Sequence, residues 1–170
     1  MMRSCLCAII AMSVIFTVVG CDPVPPTIQS VRLSTYQRTP QRIFVKFALG
    51  GVQYDRDSSD FQNGLSIPLR NCGITSSFYI YNNLSFDSDI NKHISSSGAD
   101  TLLFVQPTME INGYADAYHA EMTALPAKII VWEADFRMWG PTWMGKAVSK
   151  AIVDRLKTDG ILPADCSAPE

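Results

Sequence analysis

The amino-acid sequence predicts an α/β (α+β) fold, with a mixed sheet of four to five strands covered by two or three helices. Short runs rich in β-branched and aromatic residues alternate with segments whose apolar residues recur at helical spacing. Strand-like runs then follow one another without a helix, and an amphipathic segment comes last. Together these observations predict the element order β-α-β-α-β-β-β-α.

The first half of the pattern is a strand, a helix and a second strand. Residues 43–49 form a strand-like run that stops at Gly50-Gly51. Residues 57–60 predict a helix N-cap, and four residues that follow have helical spacing, namely Phe61, Leu65, Leu69 and Cys72. Pro68 predicts a kink or an early end of this helix, and Gly73 its stop. The second strand is expected over residues 76–81.

The second half begins with a short helix that starts at residue 86 and ends before Gly98. Residues 101–105 form a near-continuous apolar run, as expected for a central strand, which continues at residues 109–111. Asn112-Gly113 then predicts a hairpin. Two further strands are expected, over residues 114–123 and 129–136.

The last helix has the clearest pattern. Pro141 or Thr142 opens it, and Gly160 and Pro163 end it. Seven residues between them follow helical spacing, namely Met144, Ala147, Val148, Ala151, Ile152, Arg155 and Leu156.

Composition indicates one globular domain, since 47% of the 170 residues are apolar and 18% are charged. The formal net charge is −2. A weakly acidic chain lacks the basic field that nucleic acid attracts, so no nucleic-acid partner is expected.

The N-terminus has the features of a signal segment. Arg3 precedes an apolar run over residues 5–19, which is shorter than the roughly 20 residues of a membrane span. The run closes with Val18-Val19-Gly20-Cys21, which resembles the bacterial lipobox. The resemblance implies cleavage after Gly20, diacylglycerol on the Cys21 sulfur and a further acyl chain on the new amine. This covalent lipid is the only cofactor expected.

Two or more acyl chains hold a protein stably at a membrane. The predicted location is therefore the periplasmic side of a bacterial membrane. Asp22 follows Cys21 directly, which in enteric bacteria is associated with retention in the inner membrane. Asp22 thus favours the inner membrane, with the outer membrane as the alternative.

The predicted organisation has four parts, namely a signal peptide over residues 1–20, the lipidated Cys with a Pro-rich tether over 21–41, one α/β domain over 42–166 and a tail over 167–170. Three prolines within residues 23–26 favour an extended tether, able to hold the domain several tens of Å from the membrane. Residues 31–36 fit either this tether or an edge strand.

Cysteine usage indicates an oxidising compartment. Cys5 and Cys7 leave with the signal segment and Cys21 is lipidated, so Cys72 and Cys166 remain as an even pair. In the periplasm such a pair predicts a disulfide, with two free thiols as the alternative. The cysteines show no metal-binding spacing, and no metal site is expected.

The element order resembles small envelope domains, namely the N-terminal domain of TolB, the curli-secretion lipoprotein and the lipoprotein activators of peptidoglycan synthases. The resemblance rests on the strand at 43–49, the helix and strand at 89–105, the Asn112-Gly113 hairpin and the last helix. It implies a non-enzymatic role in the envelope.

No catalytic motif is found in the sequence. Asp55, Asp57 and Asp60 depart from the calcium-loop pattern and fit helix capping better. His93 and His119 are the two histidines, and neither lies in a metal or nucleophile motif. Four acidic residues fall on predicted strands and could meet as paired carboxylates, namely Glu110, Glu121, Glu133 and Asp135. Alternation along half-exposed strands explains them without catalysis.

Three tryptophans cluster where the last strand connects to the last helix. Trp139 and Trp143, with Met144 beside them, are candidates for a partner-binding surface, because Trp and Met are enriched at interface centres. The alternative is that the cluster, with Trp132, closes one end of the sheet.

The predicted function is therefore that of a membrane-anchored periplasmic lipoprotein that binds another envelope protein and has no enzymatic activity. The alternative is a carrier for a lipid or small apolar ligand, auxiliary to an envelope transporter. Such a carrier needs a cavity between sheet and helices, for which the sequence supplies aromatic residues, namely Phe44, Phe47, Phe78, Tyr79, Phe104, Trp132 and Phe136.

Overall fold

A computed structural model describes residues 27–48, 54–81, 86–111, 114–138 and 144–166, and within these ranges six strands form one sheet. The elements are β1 (Thr27–Arg32), β2 (Arg42–Phe47), α1 (Tyr54–Asn71), β3 (Thr75–Ile80), α2 (Asp87–Ser97), β4 (Thr101–Ile111), β5 (Tyr114–Ala124), β6 (Ile129–Arg137) and α3 (Met144–Thr158). The strands lie side by side in the order β1-β6-β5-β4-β2-β3. Strand β2 is parallel to β3 and β4, and the other neighbours are antiparallel. The predicted class, a mixed sheet with helices, is confirmed.

The predicted count of four to five strands was too low, and the predicted order lacks the first strand. The sequence left two readings open for residues 31–36, a tether or an edge strand. The structure has an edge strand there, β1, but it spans residues 27–32. It pairs with β6 from Thr27↔Arg137 to Arg32↔Trp132. Because the stretch is mostly polar, this long-range pairing, and not a local pattern, makes it a strand.

Helix α1 also differs from the prediction. It begins at Tyr54, so Asp57 lies inside the helix and is buried rather than serving as an N-cap. It continues through Pro68 to Asn71, although Pro68 has no N–H to donate within the helix. Packing against α3 outweighs this local cost. The predicted stop is found at Gly73, which has a φ of 75°.

Helices cover the two faces of the sheet unequally. The β2-α1-β3 and β3-α2-β4 connections cross the sheet in opposite directions, so right-handed crossovers place α1 and α2 on opposite faces. Helices α1 and α3 pack on one face, called here the inner face. A core cluster of buried side chains fills it, including Phe47, Phe61, Leu103, Trp132 and Ile152. The ring centroids of Phe47 and Phe61 are 4.6 Å apart.

Small residues allow α1 and α3 to approach closely. A Cβ built on Gly145 of α3 would lie 1.8 Å from the carbonyl oxygen of Asp57 on α1. One built on Gly64 of α1 would lie 2.0 Å from Ser149 Oγ on α3. The helices therefore touch at glycine, because any side chain there would overlap the partner helix.

A disulfide joins Cys72 to Cys166, as the sequence predicts, with Cα atoms 4.8 Å apart. It connects the end of α1 to the end of the described chain. Ile161 and Leu162, five and four residues before Cys166, are buried in the core. The three described helices include none with the length and apolarity of a membrane span.

Candidate functional site

The outer face of the sheet, opposite α1 and α3, is covered by α2 over β2 and β3. The ring of Tyr79 on β3 is 5.2 Å from the ring of His93 on α2. Phe44 and Ile90, each 3% exposed, are buried outside the inner core cluster. Among the described residues, no element covers the outer side of β4, β5, β6 and β1. We call this uncovered part the open face.

Exposed apolar residues lie at one end of the open face. Val31 is 64% exposed, Ile130 48% and Leu33 40%. They are neighbours, because the Leu33 N–H donates to the Val131 carbonyl at 3.0 Å and Val31 is paired with Glu133. A bulge between β5 and β6 sets Ile130 opposite Thr123 while Val131 enters the core. We call Val31, Leu33 and Ile130 the apolar patch.

Two carboxylates face each other beside the apolar patch. Glu121 on β5 and Glu133 on β6 are directly paired in the sheet register. Thr123 Oγ1 donates to Glu121 Oε1 at 2.9 Å. In the part of the chain that the structure describes, the Glu133 carboxylate accepts no hydrogen bond and forms no ion pair. Like charges directly opposed across two strands destabilise the strand pairing, so Glu121 and Glu133 lower the stability of the isolated domain.

The structure thus brings together two of the four strand carboxylates that the sequence singled out. A glycosidase pair would flank a bound sugar in a cleft that desolvates its general acid. Glu133 instead lies exposed on an open sheet. The arrangement therefore suits attraction of a cation better than hydrolysis.

A histidine and a third carboxylate form the next row of the open face. His119 Nδ1 lies 2.8 Å from Asp135 Oδ1. Such a contact fixes the ring orientation and favours the tautomer with its proton on Nδ1. The flanking residues in register are Gln106 on β4 and Gln29 on β1, so this row offers no hydroxyl or thiol to activate.

Lys46 marks the boundary between the open face and α2. Its Nζ lies 4.2 Å from the ring centroid of Tyr81 and 4.7 Å from that of Phe104. Phe104 is the β4 residue paired with Glu121. The ammonium is thus held by two aromatic rings through cation–π attraction.

A second polar cluster lies on the inner side of β1 and fastens this edge strand to α3. Asp159, just after α3, accepts hydrogen bonds at Oδ2 from Ser30 Oγ at 2.6 Å and from Trp132 Nε1 at 2.7 Å. Arg155 Nη2 lies 3.1 Å from Asp159 Oδ1. Arg32 Nη1 donates to the Asp159 carbonyl at 2.6 Å. We call these five residues the edge network.

The structure leaves the predicted partner surface largely undescribed. Cys21, Asp22, Trp139 and Trp143 lie outside the described residues. Met144 is the first residue of α3, and its side chain is outside them as well. Trp132 is buried in the inner core and bonded to Asp159, as the alternative of a structural tryptophan requires.

The remaining candidates are dispersed. His93 lies against Tyr79, away from His119, and the aspartates at 55, 57 and 60 belong to α1. Glu110 belongs to β4, with its side chain outside the described set. Within the described ranges, no three His, Cys, Asp or Glu residues are placed to hold a metal ion.

Sequence reasoning missed both the apolar patch and the edge network. The sequence leaves Val31 open between a tether and an edge strand and places Ile130 in the last strand, but it does not predict their shared exposure, because that depends on a bulge and an edge position in the folded sheet. The network joins residues up to 129 positions apart, for which a single sequence gives no signal.

These features define the class of the chain, an α+β domain with a mixed sheet and one half-covered face. No family model matches the sequence, and no curated protein matches it. Among solved structures, it is similar to the PelC dodecamer from Paraburkholderia phytofirmans, with 13% identity and a TM-score of 0.48, over 85% of this chain and 99% of that one.

Two further solved structures are similar. A single-residue variant of the same PelC dodecamer has 15% identity and a TM-score of 0.48, over 77% of this chain and 95% of that one. Lipoprotein GNA1162 from Neisseria meningitidis has 16% identity and a TM-score of 0.40, over 69% and 96% respectively. These similarities concern the course of the chain alone.

Proposed function

We propose that the mature chain is a lipid-anchored protein of the bacterial envelope that binds another protein through its open face and catalyses no reaction. The apolar patch carries this proposal. Contiguous exposed apolar side chains rimmed by polar ones are typical of interaction sites. Here they adjoin two carboxylates with no cation between them, which suits a polar and apolar contact with a protein.

The anchor is proposed from the lipobox at residues 18–21, and the position of β1 supports a domain held close to the membrane. Strand β1 begins at Thr27, six residues after Cys21. Six residues span at most about 20 Å. This is shorter than the several tens of Å expected from a tether that continues to residue 41. The edge network fastens β1, so the anchor leads into a fixed part of the domain.

The carrier alternative is less well supported. It requires a cavity between the sheet and α1 or α3. The described inner face is instead filled by packed rings and aliphatic side chains, with Phe47 and Phe61 each fully buried. Trp139 and Trp143, with Met144, stay a predicted second contact surface, and Asp22 still favours the inner membrane.

The anchor is tested by the intact mass of the protein from membranes, with alkylation before and after reduction. We expect a chain that starts at Cys21, carries acyl chains and is alkylated at Cys72 and Cys166 only after reduction. An unacylated chain that keeps residues 1–20 would overturn the anchor.

The binding surface is tested by a photo-crosslinking residue at position 31 of the anchored protein in cells. The matched control places it at position 154, which is exposed on α3. Discrete products at 31 and none at 154 are expected. Products at 154 with none at 31 would show that the open face is not the contact surface.

A further inference from the structure

We infer that the open face binds one amphipathic helix of a partner protein, whose basic side chains lie over Glu121 and Glu133 and whose apolar side chains cover the apolar patch. This inference rests on the proposed function and specifies the chemistry of the partner.

Charge is the first reason. The two glutamates are opposed in register, and the described residues place no cation between them. A cationic side chain from a partner would turn their repulsion into two attractions. A calcium ion is a poorer fit, because it takes six to eight oxygen ligands and this pair offers at most four. The cation that fits this pair better is therefore the side chain of Lys or Arg.

Spacing specifies how the basic residues are arranged. Directly opposed residues of an antiparallel pair have Cβ atoms about 4.5–5.5 Å apart. Residues three or four apart on a helix have Cβ atoms about 5–6 Å apart. A helix crossing β5 and β6 therefore presents two basic residues, one turn apart, at the same spacing as the glutamates.

The apolar patch specifies the neighbouring positions. Val31 is the register partner of Glu133, so it lies directly beside the carboxylates. Ile130 lies one row further along the face. A partner helix with basic residues over the glutamates must then place apolar residues one turn away. This is an amphipathic sequence with its basic residues at the border of its apolar side.

The dimensions of the open face allow one helix. Four strands at about 4.8 Å spacing extend roughly 14 Å between their outermost axes. A helix that crosses these four strands covers them with about nine residues, or two to three turns. Because α2 already covers β2 and β3, the rest of a longer partner helix must extend outward past the edge strand β1.

A synthetic peptide probe tests this chemistry directly. The probe is a Leu/Lys amphipathic helix of about 18 residues, roughly five turns. Its control is the same peptide with Glu in place of Lys. We expect the mature protein to bind the Lys peptide, to bind it more weakly as salt is raised, and not to bind the Glu peptide. Equal binding of both peptides would overturn the inference.

Variants of the protein localise the site. The double substitution Glu121→Gln with Glu133→Gln should weaken binding of the Lys peptide about tenfold or more. The charge-matched control is Asp60→Asn with Asp154→Asn, which removes two carboxylates from α1 and α3. Circular dichroism verifies that all variants are folded. Equal weakening by both double variants would mean that net charge, and not this pair, attracts the peptide.

Cross-linking in cells separates this inference from the proposed function. If products at position 31 disappear in the Gln double variant and map to a basic amphipathic segment of the partner, both stand. If products persist unchanged in that variant, the open face binds a protein but the inferred chemistry is wrong. If position 31 gives no product while position 154 does, the proposed function itself fails.

Discussion

Trp132 Nε1 donates a hydrogen bond to Asp159 Oδ2 at 2.7 Å, and the same oxygen accepts one from Ser30 Oγ at 2.6 Å. Trp132 lies on β6, Ser30 on the edge strand β1, and Asp159 at the end of α3. A single carboxylate thus joins two strands and a helix. Its side chain is 12% exposed, so these bonds form largely away from water.

Replacing Asp159 with Ala should destabilise the fold by about 3 kcal/mol, because the indole N–H and the Arg155 guanidinium lose their acceptor in a largely buried site. Urea unfolding measures the loss. Relative to the parent protein, the variant's amide hydrogen exchange should accelerate more in β1 than in β5, since β1 is the strand that the network fastens.

Asp154 provides the matched control, since it also pairs with a cation four residues away, Lys150, but on the exposed side of α3. Asp154→Ala should cost no more than about 0.5 kcal/mol. Similar losses for Asp154→Ala and Asp159→Ala would refute the role of the edge network.

Gly145→Ala should destabilise the fold by about 1–3 kcal/mol, although Ala is the better helix former. The new methyl group would lie 1.8 Å from the carbonyl oxygen of Asp57. Because this oxygen belongs to the backbone of α1, it cannot move out of the way by a rotamer change, as a side chain could. Thermal unfolding measures the change. Lys146→Ala, at the exposed neighbouring position, should stay within about 0.5 kcal/mol of the parent. A gain in stability for Gly145→Ala would contradict the close approach of α1 and α3.

Replacing both Cys72 and Cys166 with Ala should destabilise the protein by at most about 4–5 kcal/mol, because the disulfide closes a loop between residues 94 positions apart. Urea unfolding of this variant should match that of the parent protein under reducing conditions. A reductant that leaves the parent's midpoint unchanged would show that the bond contributes nothing to stability.

The stability of the fold should decline at alkaline pH because of Tyr36. Burial raises the pKa of its phenol above the ordinary value of 10.0, although a hydrogen bond with Thr101 opposes the shift. The folded state therefore holds this proton more tightly than the unfolded chain. The contribution of this raised pKa to folding stability is complete below pH 10. It is lost as the pH rises from there through the folded-state pKa.

Urea midpoints from about pH 8 to pH 11 measure this loss. Tyr36→Phe should cost no more than about 1 kcal/mol below pH 10, for the lost hydroxyl, and should show a smaller decline above pH 10 than the parent. Identical pH slopes for the parent and Tyr36→Phe would contradict the raised pKa.

The sequence predicted most of the described elements because their signals are local. Apolar periodicity gave α3, and Gly98, in the left-handed region at φ 63°, ends α2 as expected. The two strands that flank Asn112-Gly113 are antiparallel neighbours, with Ile111 paired to Tyr114. Helix α1 was placed too late because packing against α3 supports turns that propensity alone does not predict.

The sequence by itself determined the alternation of strands and helices and the resemblance of residues 18–21 to a lipobox, and it predicted the disulfide between Cys72 and Cys166 that the structure contains. The tertiary structure alone decided that residues 27–32 are a strand, that Glu121 opposes Glu133, and that Val31 and Ile130 are exposed together. The physical reason is the distance along the sequence over which each interaction acts. Helix periodicity and turn chemistry act over a few residues, whereas an edge strand and an open sheet face exist only after distant segments have paired.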